Sequence, residues 1–271
     1  MRLTGYRVTN ESLILTVTLL VLGAVILLLS GPTLFLAPVM VVFMLVVAYY
    51  MNQAQHQQLI RTAVPVSEQR SPRLARIFDT CVARLQPGRV RGYVVPSRER
   101  NAYTFGISDP KVIVVYSSLL EIMDEDEIAF IIGHELGHVA LGHALLNTLI
   151  GGMAGVPVSL GVAVVMTFAF RSWNRACEFS SDRAGLLACG SLNKAVTALV
   201  KLVAGDVNTQ AELQYALAMI DAEDDNPANV LANALSTHPM IIKRINELRK
   251  YAATPEYKRL LAQADQQGGR V

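Results

Sequence analysis

The pattern of apolar and polar positions divides the chain in two. No Asp, Glu, Lys or Arg occurs from Ser12 through Ile60. Within that stretch, Leu13–Leu29 and Leu34–Tyr50 are nearly continuous apolar runs separated by Ser30-Gly31-Pro32-Thr33. A membrane-crossing helix needs roughly 20 mainly apolar residues, with about 17–25 as the working range, and each run reaches that length once its uncharged flanks are counted. Gly-Pro is turn chemistry, so residues 1–60 predict a transmembrane helical hairpin. A cleavable signal peptide would not be followed at once by a second apolar run. A buried hairpin in a soluble protein is the competing reading.

Beyond residue 60 the period changes. Ser71-Pro72 has the form of an N-cap followed by proline at the first helical position. Leu74, Ile77, Phe78, Cys81, Val82 and Leu85 then recur at helical spacing until Pro87-Gly88. Three short strand-like stretches follow, Val90–Val95, Asn101–Ile107 and Lys111–Tyr116, with turn residues at Pro96–Arg100 and Ser108-Asp109-Pro110. Read in succession they predict a small antiparallel sheet. Asp124 and Glu127 have capping-box spacing and open a helix through Ile131, Ile132, His134, His138 and Leu141. Further helices are expected at Glu178–Cys189, Leu192–Val203, Thr209–Ile220 and Pro239–Tyr251, with the acidic run Asp221–Asp225 as a solvated loop. The polar stretch 262–271 reads as a flexible tail. The fold class is therefore mainly α with a small antiparallel β-sheet, behind an N-terminal transmembrane hairpin.

Charge adds an orientation. Arg2 and Arg7 precede the hairpin, its turn is uncharged, and Arg61, Arg70, Arg73, Arg76, Arg84, Arg89 and Arg91 follow it. Positive flanks stay on the cytoplasmic side, which places both hairpin ends and the following domain there, with the arginines able to meet anionic lipid headgroups. The same arginines also fit a solvated helix face. Over the whole chain, 52% of residues are apolar and only 17% charged, with mean hydropathy +0.36. Average soluble domains carry about 25% charged residues, so an ordinary cytosolic enzyme is disfavoured. A net charge of +2 supplies no basic excess for nucleic acid. Cys81, Cys177 and Cys189 form no C-x-x-C pair and suit a reducing compartment better than a disulfide framework.

The chemistry concentrates at His134-Glu135-Leu136-Gly137-His138. Residues four apart on a helix share a face, so both imidazoles can converge on one ion, and neutral imidazole is a good Zn²⁺ ligand. Glu135 sits beside that ion, where it can take a proton from a metal-activated water and pass it to a leaving amine. The metzincin extension is excluded by Leu141 and Ala144, where Gly and His are required. His143 lies nine residues after His134, and continued at helical pitch it falls on the opposite side, as a packing or surface histidine. A carboxylate from another helix is the remaining way to complete a His₂Glu set.

His134–His143 (HELGHVALGH), Glu178–Asp182 (EFSSD) followed by Arg183-Ala184-Gly185, and Thr237-His238-Pro239 with Arg244 resemble the HtpX-like and CAAX prenyl endopeptidase family of membrane zinc metallopeptidases. Asn101-Ala102-Tyr103 is similar to that family's strand before the catalytic helix. The likeness spans residues 90–248 and implies a gluzincin-type metallopeptidase domain, assigned to 61–261, with one Zn²⁺ per chain. It implies Glu178 as third zinc ligand and Asp182 as acceptor for a ligand histidine. His238 and Arg244 are implied to stabilise the oxyanion of the tetrahedral intermediate. Asn101, Ala102 and Tyr103 would pair with an extended peptide.

The uncharged run 144–170 is long enough to cross a bilayer once, but a single crossing would separate Glu178 from His134 and His138. It is therefore expected to be re-entrant or membrane-associated. The reading is a membrane-anchored zinc endopeptidase in the cell (inner) membrane, multi-pass, with its catalytic domain facing the cytoplasm. Its implied partners are polypeptides, misfolded membrane proteins among them, and the lipid bilayer. The alternative is a non-catalytic membrane scaffold or holdase with a structural zinc. A small transporter is disfavoured because the two apolar runs contain no ionisable group apart from His56 near their end.

Overall fold

The computed structural model describes residues 5–31, 33, 36–106, 109–146, 160–207, 209–224 and 241–268. His238 and the glycine-bearing middle of the 144–170 run lie outside them. The chain opens with two long helices, α1 (Glu11–Ser30) and α2 (Leu36–Thr62), packed on each other. Among the described residues, α1 is the one helix long and apolar enough to cross a membrane, over Glu11–Leu28, and almost none of that window is buried. Leu20, Leu27 and Leu28 are 68%, 74% and 76% exposed, so this face of α1 is not buried in the core of the chain. Val39, Val42 and Phe43 of α2 are exposed as well.

After a two-residue strand β1 (Val64–Pro65) comes α3 (Pro72–Leu85), where the amphipathic pattern placed it, with Leu74, Phe78, Cys81 and Leu85 buried. The sheet continues with β2 (Val90–Val95), β3 (Ala102–Phe105) and β4 (Lys111–Tyr116). Its order is β1-β2-β4-β3, and this corrects the antiparallel expectation. β2 and β4 pair in parallel, Val90 opposite Lys111 through Val95 opposite Tyr116, while β1–β2 and β3–β4 are antiparallel. The reason lies in β4, where Ile113, Val114 and Val115 are all buried. Ile113 and Val115 join the main core, whereas Val114 packs with Val95 and Phe105 on the other face. A strand covered on both faces belongs at the centre of a sheet, so β4 sits between β2 and β3.

The short α4 (Ser117–Ile122) leads to α5 (Glu125–Ala140), which starts on the expected reciprocal capping box. Asp124 accepts from the Glu127 amide at 3.0 Å, and Glu127 accepts from the Asp124 amide at 3.0 Å. Next comes α6 (Leu160–Cys189), one unbroken helix joining the end of the 144–170 run to Glu178. The remaining helices are α7 (Leu192–Ala204), α8 (Gln210–Asp224), α9 (Ile241–Ala252) and α10 (Pro255–Gly268). Two details depart from expectation. The acids expected in a loop continue α8 as far as Asp224. Residues 262–268, expected as tail, extend α10, because Leu260 and Ala264 are buried and Asp265 pairs with Arg84 at 2.7 Å.

What positions the site is the seam between α5 and α6. A Cβ on Gly133 would stand 2.3 Å from Ala188 Cβ, one on Gly137 2.7 Å from Ala184 Cβ, and one on Gly185 2.7 Å from the Phe130 carbonyl oxygen. Glycine and alanine here let the two backbones approach until their side chains share one volume. The middle of α6 meets α1, with Phe170, Trp173 and Cys177 buried against Ile14, Leu15 and Leu22.

Candidate metal and catalytic site

The last two turns of α5 carry His134, Glu135 and His138, all buried. The Nε2 atoms of the two histidines are 3.2 Å apart. From α6, Glu178 brings Oε2 to 3.6 Å from His134 Nε2 and Oε1 to 3.5 Å from His138 Nε2. Donors each about 2.1 Å from a tetrahedral ion stand roughly 3.4 Å from one another, so this triangle has the edge lengths of a zinc site. The partners of the opposite ring atoms agree. His134 Nδ1 lies 2.9 Å from Asp182 Oδ1 and His138 Nδ1 lies 3.1 Å from His143 Nδ1. With those Nδ1 atoms as donors, two bare Nε2 lone pairs face each other beside a carboxylate. A cation held between them makes that arrangement favourable. Glu178 Oε2 is buried and makes no well-formed hydrogen bond, although the Arg244 guanidinium lies within ion-pair distance of it.

Behind the triangle stands a charged brace. Arg244 on α9 is buried and grips Asp182 with two bonds, Nε to Oδ2 at 2.8 Å and Nη2 to Oδ1 at 2.6 Å. Its Nη1 lies 3.1 Å from Glu178 Oε2. The Arg244 donors therefore face the two carboxylates. Burial alone would raise the Glu178 carboxyl pKa, but Arg244 and the two imidazoles hold it well below the usual range. Asp182 is lowered against burial in the same way by Arg244 and His134. For His134, burial favours the neutral ring, but Asp182 and Glu178 outweigh it and raise the pKa.

Glu135 points from the same helix toward the sheet. Its Oε2 accepts from Thr104 Oγ1 of β3 at 2.7 Å. Thr104 was not singled out in the sequence, although it follows Asn101-Ala102-Tyr103 directly. Ala102 and Tyr103 lie on β3, the end strand of the sheet, and Asn101 precedes it, its carbonyl accepting from the Tyr116 amide at 3.0 Å.

His143 corrects its expected placement. Its position on the far side assumed that α5 continues, but the helix ends at Ala140 and Gly142 takes a positive φ of 80°. That left-handed residue, cheap only for glycine, turns the chain so that His143 returns beside His138, 2% exposed. Its Nε2 lies 2.8 Å from Glu11 Oε1 at the head of α1. Glu11 is fully buried and also accepts from Arg7 Nη1 at 2.8 Å and from Ser180. Arg7 donates in turn to the Leu141 carbonyl at 2.6 Å. Glu11, His143 and Cys177 form a second buried group of donors whose ligand atoms lie within 4.8 Å of one another. Burial pushes the Cys177 thiol far up, which disfavours a thiolate there. The one signal of Glu11 in the sequence is its place as the last charge before the long uncharged stretch.

The sequence also matches a known protein family. The sequence model of "Peptidase family M48" matches residues 68–252. Among curated proteins, the plastoglobule-localized metallopeptidase 48 of Arabidopsis thaliana is 32% identical over 189 residues, covering 64% of this chain and 55% of that protein. The chain thus spans about half the length of that relative. A protease HtpX homolog of Ralstonia nicotianae is 27% identical over 226 residues, 72% of this chain and 79% of its own. One from Thermococcus kodakarensis is 27% identical over 221 residues, 69% and 76% respectively. With two α5 imidazoles and an α6 carboxylate converging inside the matched segment, the chain belongs to peptidase family M48.

Proposed function

We propose that the chain, a metalloprotease by its family, is a membrane-anchored zinc endopeptidase. The observation that carries this reading is the convergence of His134 Nε2, His138 Nε2 and the Glu178 carboxylate with Glu135 adjacent. Bound there, Zn²⁺ would polarise the scissile carbonyl and acidify the attacking water. His134, His138 and Glu178 hold the ion. Glu135 takes the water's proton and delivers it to the leaving amine, and Thr104 fixes one Glu135 oxygen so that the other faces the reaction. The strand carrying Ala102 and Tyr103, with Asn101 before it, aligns an extended peptide beside Glu135. His238, which lies outside the described residues, would by the family resemblance stabilise the developing oxyanion, with the Arg244 charge acting from behind Glu178.

Anchoring is supported by the exposed apolar surface of α1, with α2 beside it as the second arm of a hairpin. Glu11 is bonded to Ser180 and His143, which ties the head of α1 to the domain. The arginine-rich flank after α2 orients the catalytic domain toward the cytoplasm, in the cell membrane. Misfolded membrane proteins are the substrates this placement and the family suggest. The test compares casein hydrolysis and zinc content of detergent-purified wild type and Glu135→Gln. Loss of hydrolysis by at least about 10²-fold with zinc retained is the expected result. Equal hydrolysis in both would overturn the proposal, and zinc without hydrolysis in the wild type would favour a structural site in a scaffold or holdase.

A further inference from the structure

We propose that Glu11 and His143 are positioning residues for the metal ligand His138, a carboxylate–imidazole–imidazole relay that ties the first residue of the apolar helix α1 to the metal centre. This inference rests on the zinc-site reading above.

The relay has one consistent proton arrangement. For His138 Nε2 to offer its lone pair to an ion, its Nδ1 must carry the proton and donate it. The acceptor within reach is His143 Nδ1 at 3.1 Å. An imidazole accepting at Nδ1 carries its own proton at Nε2, and His143 Nε2 faces Glu11 Oε1 at 2.8 Å. Each ring nitrogen then has one role and no donor is left over. Outer partners of this kind fix a ligand's tautomer and ring orientation and strengthen its basicity.

The elements are also held in place. Trp173 packs edge-on against the His143 ring, centroids 5.9 Å apart. Arg7 and Ser180 hold the Glu11 carboxylate, and the Val8 amide donates to Ser180 Oγ at 3.0 Å. Glu11 lies outside the residues matched to the family, 68–252, so the family assignment does not supply it. The rival use of the same side chains is a second cation among Glu11, His143 and Cys177. It would need His143 Nε2 deprotonated and Cys177 ionised in a buried site, whereas the hydrogen bonds account for Glu11 and His143 without either.

The experiment uses the full chain in detergent micelles and reads Zn²⁺ affinity by competition with a chromophoric chelator, together with the visible spectrum of the Co²⁺-loaded protein. His143→Gln keeps an acceptor toward His138 and a donor toward Glu11, whereas His143→Leu keeps bulk and loses both. The relay predicts affinity within about threefold of wild type for His143→Gln and a loss of about 10–100-fold for His143→Leu. Glu11→Gln should weaken binding in the same direction and shift the Co²⁺ bands. Equal affinity in both His143 variants, whether unchanged or reduced alike, overturns the relay and leaves a packing role. Should His143→Leu not fold, an unchanged Co²⁺ spectrum and affinity in Glu11→Gln overturns it instead. Two zinc equivalents per wild-type chain, the second lost with Cys177→Ala, would assign the cluster to a second cation and overturn the relay. Wild type that takes up no zinc would sink the zinc-site reading itself, a result distinct from variants that merely match a zinc-loaded wild type.

Discussion

The two histidines of the site are supported in different ways. His134 leans on a carboxylate directly: Asp182 accepts from it and is clamped by Arg244, all within α5, α6 and α9. His138 leans on a neutral imidazole, and reaches a carboxylate only at one remove, on α1. The first brace lies wholly inside the segment matched to the family and the second does not. The first is rigid and expensive to break, since truncating one partner leaves a charge stranded. The second is graded, because each step passes through a hydrogen bond between groups that can be exchanged for neutral ones.

That contrast can be attacked from its stronger side first. Asp182→Ala removes both hydrogen bonds from the buried Arg244 guanidinium, 4% exposed, and leaves it only the Glu178 ion pair at 3.1 Å; breaking a buried pair in this way costs about 3–5 kcal/mol. Chemical denaturation of the metal-free protein should show that loss, with zinc affinity falling too. A cost under about 1 kcal/mol would mean that the Glu178 ion pair alone satisfies Arg244. Gly137→Ala attacks the seam on which both braces depend. Its methyl would meet Ala184 Cβ at 2.7 Å and the Ser181 backbone at 3.1 Å, and overpacking of this kind costs about 1–3 kcal/mol. Thermal melting should report the destabilisation, together with weaker zinc binding, because Glu178 shifts relative to both rings.

Thr104→Val touches neither brace. It should lower kcat by about tenfold, roughly 1.4 kcal/mol of lost positioning, while zinc content stays at the wild-type level. A drop in zinc would instead connect β3 to the metal. The smallest effect is in acid. The folded-state pKa of Asp182 is depressed, so its contribution to stability is present above its unfolded value of about 3.9 and is lost as pH falls through the lower folded value. Below about pH 4 the metal-free wild type should therefore lose stability more steeply than Asp182→Asn. Parallel curves would show that Asp182 does not set the acid limb.

What the sequence disclosed follows the range of each interaction. The capping box at Asp124 and the spacing of His134 and His138 are local and were legible directly. Glu178 on a separate helix was reachable only through resemblance, since nothing in its neighbourhood distinguishes it from other helical glutamates. His143 was misplaced because periodicity was carried across a helix end, although Gly142 stood one residue before it as a stop signal. The parallel pairing of β2 with β4 was missed because adjacent strands were assumed to pair in order. The unbroken apolar run Val112–Val115 was the available hint of a central strand. Glu11 stayed hidden for a different reason. An acid at the head of a helix is ordinarily explained by the backbone dipole, so nothing short of its three-dimensional partners reveals another role.

The contacts at the foot of α1 set a geometric limit on reach. Arg7 and Glu11 bond straight to the end of α5 and the start of its following turn, and the apolar stretch begins at Glu11 itself. On the proposed anchoring there is then no stalk between lipid and cleft. The scissile bond must be presented within a few residues of the bilayer surface, and a polypeptide diffusing freely in solution meets this cleft only by coming down to the headgroups.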